Sequence, residues 1–271
     1  MGSLNLSFLN MLFSQLILVQ PYISEVLMKI LLSPSKTQSD IKHQTKLTEP
    51  RFKAEASELR VWLQSLDKES IGSMMKLKGD LLDSTVEQIH KKRPQSLAMM
   101  DVYQGVAFDA LELKSLSSHE LLFAQKHLRV LSAYWGMLRP LDKIHNYRLD
   151  FTMHHKDIHL LKLWKDKIVR ELERDDWILD LSSKEFSQLV KVLQDKLHRV
   201  EFYEEVDGEL KIISSFAKQA RGSLARWCIQ NQIKHPDDIQ VFTGMNYHYR
   251  PDLSSEGQSI FSRPQHSVLE C

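Results

Sequence analysis

The strongest constraint in this sequence is a two-residue turn. Asp207-Gly208 separates the stretches 199–206 and 209–216, and both turn positions carry residues that tolerate positive φ. Such a chain folds back on itself as a β-hairpin. A helical stretch, 217–232, follows directly. Around this fixed point the remaining segments can be ordered by their periodicity. Residues 28–33, 127–132 and 176–181 are short apolar runs of the kind found in buried strands, and 96–103 reads as another. Leu59, Trp62, Leu63 and Leu66 share one face of a helix over 54–66. Further helices are expected over 69–77, over 84–92 behind a Ser84 cap, behind Ser118, and over 159–173 and 183–194. Residues 240–262 read as loops and short strands. Helices and strands mix without strict βαβ alternation, so the expected class is α+β, a single compact mixed domain with a central sheet.

The expected boundaries are 1–27, 28–263 and 264–271. The stretch from Leu4 to Leu27 is apolar, yet it lacks the basic region and cleavage site of a signal peptide. Asn5, Asn10, Gln15, Gln20 and Pro21 interrupt it before about 20 apolar residues accumulate, so no membrane span is expected. Met28 opens directly onto a strand, and the leader reads as an extension or a start placed too early. The domain is 28–263 and the tail 264–271. Cys228 and Cys271 are the two cysteines and stand outside any paired spacing, which excludes a disulfide framework and suits a reducing cytoplasm.

Formal charge is +1, from 36 Lys and Arg against 35 Asp and Glu. Attraction to a polyanion must therefore come from local clusters. Two segments qualify. One holds Arg129, Arg139 and Arg148, interleaved with Tyr134, Trp135 and Tyr147. Arg forks suit phosphate and aromatic faces suit bases. The other, 211–226, holds Lys211, Lys218, Arg221 and Arg226 with no acid. Its cations fall near a helix start, where they oppose the helix dipole, so an anionic ligand is one reading and solvated surface charge the other. Gly222 would then admit the close approach of a ligand backbone. Ser35 and Lys36, in a polar turn after the first strand, lie where α/β-type folds place ligand loops, though the glycines of a P-loop are missing. Leu77-Lys78-Gly79-Asp80-Leu81 resembles the turn of a helix-hairpin-helix. His155 and His159 have a metal-compatible spacing, but no further ligand accompanies them, and no cofactor fingerprint is present.

Several runs, taken in order, resemble the YaaA family of peroxide-stress proteins: 29–37, Asp101-Val-Tyr-Gln-Gly105, 127–142, Tyr147-Arg-Leu149, 179–186, 215–222 and Asn246-Tyr247. The resemblance implies a cytoplasmic protein of the hydrogen-peroxide response that limits free intracellular iron. It implies one α+β body with a positively charged cleft, a helix-hairpin-helix-like element and DNA binding by shape and phosphate. The contributors expected are Ser35, Lys36, Tyr103, Arg129, Tyr134, Arg139, Tyr147, Arg148, Lys218, Arg221 and Arg226. No metal or cofactor is expected, and oligomeric state is open. The alternative is a nucleobase- or nucleoside-processing enzyme in which Ser35, Lys36, Asp101, Tyr103 and Asp180 surround the reacting group. Met100, Ala133, Asp180 and Asn246 depart from the family pattern.

Overall fold

The computed structural model describes residues 28–41 and 46–264. The expectation for the leader therefore lies outside the described residues. In chain order, β1 (Met28–Leu32) leads to α1 (Lys53–Ser65), α2 (Lys68–Met75) and α3 (Gly79–His90). Next come β2 (Leu97–Ala98), α4 (Met99–Val102), α5 (Val106–Leu111) and α6 (Ser118–His127). The strands β3 (Leu128–Ser132), β4 (Gly136–Leu138) and β5 (Lys143–Ile144) precede α7 (Leu160–Leu172). The rest comprises β6 (Trp177–Asp180), α8 (Lys184–Ser187), β7 (Leu197–Val206), β8 (Glu209–Lys211), α9 (Ser214–Gln230), β9 (His248–Tyr249) and β10 (Gln258–Pro264).

The main sheet has the order β4-β3-β1-β6-β7-β10-β9, with β8 on β7. Its centre is parallel: β1 pairs β3 and β6, and β7 pairs β6 and β10, all in parallel. Antiparallel β4 and β9 close its ends. β1 and β6 are buried along nearly their whole length, as strands covered on both faces must be, which is why they read as unbroken apolar runs rather than as alternation. Trp164 of α7 is fully buried and donates its indole N–H to the Ala133 carbonyl at 2.8 Å.

The hairpin forms as the turn requires, with Asp207 at φ 53° and Gly208 at φ 78°. Its return strand is only three residues long, because α9 begins at Ser214. Gly222 sits where α9 crosses α5. A Cβ there would come within 2.0 Å of the Ala107 carbonyl oxygen, so this glycine serves helix packing and not ligand access.

Four local expectations change. Ser84 lies inside α3, which starts at Gly79, and its hydroxyl donates to Leu81 O. Ser117, one residue earlier than expected, caps α6 in a reciprocal capping box with Glu120. The stretch 96–103 pairs with β5 only at Leu97 and Ala98; the N–H of Tyr103 then bonds the Met99 carbonyl and winds the chain into α4. The helix expected over 183–194 ends early as α8, where the Ser187 hydroxyl is drawn onto the Asp180 carboxylate, and the chain continues in tighter turns.

Candidate functional site

β1 connects toward β3 on one side, while β6 connects toward β7 on the other. Their adjacent carboxyl ends therefore form a topological switch point, the place where open parallel sheets leave a crevice for ligands. The Ser183 N–H donates to Ser33 Oγ at 2.8 Å and ties the two loops together.

A cavity of about 530 Å³ opens beside this point. The loop after β1 contributes Ser35 and Lys36. The segment between β5 and α7 contributes His145, Asn146, Tyr147, Arg148 and Asp150. α8 brings Glu185 and Phe186, and one face of α3 supplies Ser84, Thr85 and Gln88. Because α3 also packs on α1 and α2, the turn carrying Lys76 and Lys78 projects from the helix that walls the cavity. Lys76, Lys78, Gly79 and Asp80 are exposed at that turn, and buried Leu77 anchors it.

The cavity's polar groups divide sharply. Lys36 Nζ lies 2.8 Å from Asp150 Oδ2, and the N–H and hydroxyl of Thr152 donate to Asp150 Oδ1, each at 3.0 Å. Burial pulls the Asp150 carboxyl upward, but the neighbouring Glu185 together with Lys36 and Thr152 outweighs it and holds the group well below the usual carboxylate range. Glu185 moves the other way. Burial and then the neighbouring Asp150 push its carboxyl up to about 7. Glu185 Oε1 is buried without a hydrogen-bond donor among the described residues, and so is Asn146 Oδ1. A proton on Glu185, shared toward Asp150, fits this arrangement: one carboxyl stays ionised while the other is poised to carry a proton at neutral pH. Burial lowers His145 to about 4, so it is neutral there.

Tyr147 forms part of the wall. Its hydroxyl lies 2.6 Å from that of Tyr103 and 2.7 Å from Ser132 Oγ, and burial pushes it up to about 12. The lining carries mixed charge, with Lys36, Lys91 and Arg148 beside Asp40, Glu87, Asp150 and Glu185.

Of the residues expected from sequence, Ser35, Lys36, Tyr147 and Arg148 meet in this cavity. Arg148 has no hydrogen bond or ion pair to any described residue. Tyr134 is buried behind the cavity, with its ring against Tyr147 and His145. Tyr103 is 1% exposed and offers no ring face for stacking. Arg129 turns back to donate to the Gln125 and Leu128 carbonyls at the end of α6. Arg139 forks onto buried Asp142 and also donates to the Glu49 carbonyl. Arg226 closes the end of α5 through the Leu111 and Glu112 carbonyls. Lys218 is solvent-exposed, and half-buried Arg221 lies near Asp180 and Glu201 with its Nε buried and without an acceptor among the described residues.

Asp180 and Asp101 do not reach the cavity either. Asp180 accepts from Ser182 and Ser187, with Arg199 3.7 Å away, and Asp101 pairs with Lys114 at 3.6 Å. His155 and His159 accept from nearby backbone N–H groups, and no group of three or more potential metal ligands occurs among the described residues. Asp150, Asn146 and Glu185 had no role in the sequence reading. Glu185 fell inside the recognised 179–186 run, but only folding brings it against Asp150.

The model of the peroxide stress protein YaaA family matches residues 28–253. The chain belongs to that family. Among similar proteins, a UPF0246 protein of Maricaulis maris is 35% identical over 254 residues, covering 88% of this chain and 97% of its own length. A UPF0246 protein of Fusobacterium nucleatum is 34% identical over 245 residues, covering 87% and 99%. One from Crocosphaera subtropica is 30% identical over 248 residues, covering 86% and 99%. Membership in the YaaA family supports a role in the peroxide stress response. No helix among the described residues is long and apolar enough to cross a membrane.

Proposed function

We propose that this YaaA-family protein serves the peroxide stress response by binding DNA at the cavity and its rim, limiting the damage that follows when peroxide meets iron. The observation that carries this reading is Arg148, a guanidinium set in a nucleotide-sized cavity with no acceptor among the described residues. Lys36 stands at the same opening. The turn before α3 adds Lys76 and Lys78 beside free backbone N–H groups, a combination suited to gripping phosphate without reading sequence. Because the lining is of mixed sign, contact with phosphate is local to these groups and does not extend over the whole cleft.

Fluorescence anisotropy with labelled duplex and gapped oligodeoxynucleotides tests this reading. If Arg148, Lys76 and Lys78 each neutralise one phosphate, log affinity falls against log salt with a slope of about −2 to −3. Absence of binding at low salt, or a slope near zero, overturns it.

A second reading, turnover of a nucleobase or nucleoside, is favoured by the unlike protonation of Asp150 and Glu185 in one cavity. Release of a free base from an oligonucleotide, abolished by Glu185→Ala, is the outcome it requires.

A further inference from the structure

We propose that the cavity is a binding site for one unpaired nucleotide unit, with its phosphate on Arg148 and the polar edge of its base on Glu185 and Asn146. This rests on the reading of the cavity as a nucleic-acid site and narrows it from a surface to a single residue of the polymer.

Three independent features of the cavity converge on such a ligand. The first is a pair of buried oxygens without donors among the described residues, Glu185 Oε1 and Asn146 Oδ1, in residues that both line the cavity. Buried polar atoms are nearly always satisfied, so two bare acceptors in one cavity mark where a ligand's N–H groups belong. The second is the Arg148 guanidinium, which has no partner among the described residues. It lies two residues from Asp150, and Asp150 is already occupied by Lys36 and Thr152. An anionic group of the ligand completes Arg148 without displacing a partner among the described residues. The third is the apolar wall formed by Tyr147, Phe186, Leu149 and Met153, which suits the faces of a heterocycle. A volume of about 530 Å³ admits a nucleotide but not a base pair within its duplex, so a nucleotide of DNA reaches it only unpaired and turned out of the stack.

The site is pH-dependent by construction. Asp150 and Lys36 face Glu185 directly, while Asp40, Glu87, Lys91, Arg148 and neutral His145 share its cavity. Below about 7 Glu185 keeps its proton, shared toward Asp150, and the pair carries a single negative charge. Above it, two adjacent carboxylates repel the ligand's phosphate. Affinity therefore falls as pH rises through about 7. The second ionisation of a free monophosphate, near about 6, works in the opposite direction, so the substitution Glu185→Gln is needed to isolate the protein's own titration.

The test is calorimetric titration of the full chain with the common nucleoside monophosphates, the matching nucleosides, and inorganic phosphate, at about pH 6 and about pH 8. At least one monophosphate is expected to bind at least about tenfold more tightly than both its nucleoside and phosphate alone. Arg148→Ala should remove that advantage. Glu185→Gln should abolish the wild-type protein's weakening at higher pH. Melting temperatures of both variants, measured on the same samples, show that they are folded. Equal binding of nucleoside and nucleotide, no binding of any monophosphate, or unchanged behaviour of both variants overturns the assignment. If oligodeoxynucleotides bind while no monophosphate does, the single-nucleotide pocket falls and the DNA reading stands. If monophosphates bind as described while oligonucleotides do not, the pocket stands and the DNA reading falls.

Discussion

The two basic segments look alike in sequence and behave differently in the fold. The first supplies Arg129, Arg139 and Arg148; the second supplies Lys218, Arg221 and Arg226. In the first, Arg129 and Arg139 are spent on internal acceptors, and only Arg148, at the far end, enters the cavity. In the second, Arg226 holds α9 to α5, Lys218 faces solvent outside the cavity lining, and half-buried Arg221 lies near Asp180 and Glu201, away from the cavity lining, with its Nε buried and without an acceptor among the described residues. A run of cations thus does not by itself define a binding surface. What each cation contributes depends on whether the fold has already given it an acceptor and on whether it reaches the cavity, which Arg148 does and Arg221 does not.

The comparison is broken most forcefully at Arg139. Asp142 is completely buried and takes two of its hydrogen bonds from that guanidinium. Arg139→Ala leaves a buried carboxylate short of its cation and should cost about 3 kcal/mol in urea denaturation. A loss comparable to that of a surface lysine would mean that the pair is not structural.

Arg226→Ala comes next. It removes two hydrogen bonds to carbonyls at the end of α5 and a half-exposed contact with Glu112. The expected loss is about 1–2 kcal/mol, with oligonucleotide affinity unchanged once folded fractions are matched. A fall in affinity at unchanged stability would return Arg226 to the binding surface.

Glu185→Gln has a smaller effect, visible mainly as a change in pH dependence. The folded-state value of about 7 lies above the ordinary 4.5. The folded form therefore holds a proton that the unfolded form releases earlier. Stability from that proton is full below about 4.5 and is lost as pH rises through about 7. The uncharged variant escapes that loss. It should melt higher than the wild-type protein at about pH 8, with the difference vanishing toward about pH 4. The same difference at both pH values would show that Glu185 does not titrate in this window.

Most of the framework was legible from the sequence because it rests on local rules. The Asp207-Gly208 turn, the apolar strands at 28–33, 127–132 and 176–181, and the helix face of Leu59 and Leu63 all carry their own signals. The parallel pairing of β1 with β6 carries none, because it joins strands that are far apart in the chain. The site was half legible for the same reason. Lys36 and Arg148 stood out as cations near aromatic or loop residues, and both reached the cavity. Tyr103, Arg129, Arg139 and Arg226 stood out equally well, yet their partners are set by tertiary contacts that no spacing rule shows. Asp150 and Glu185 were invisible as a pair, since neither acid is unusual until the loop after β6 and the segment before α7 bring them together.

The smallest effect on stability belongs to the residue with the largest expected effect on binding. Arg148 has no partner among the described residues, so Arg148→Ala should shift unfolding by no more than about 0.5 kcal/mol. The deciding measurement is the affinity of Arg148→Ala for a gapped oligodeoxynucleotide, beside Arg129→Ala, across a salt series. The expected result is at least about a tenfold loss for Arg148→Ala, with the salt slope shallower by about 1, while folded Arg129→Ala keeps wild-type affinity. Equal affinities for wild type and Arg148→Ala, or the same loss in both variants, would contradict the account.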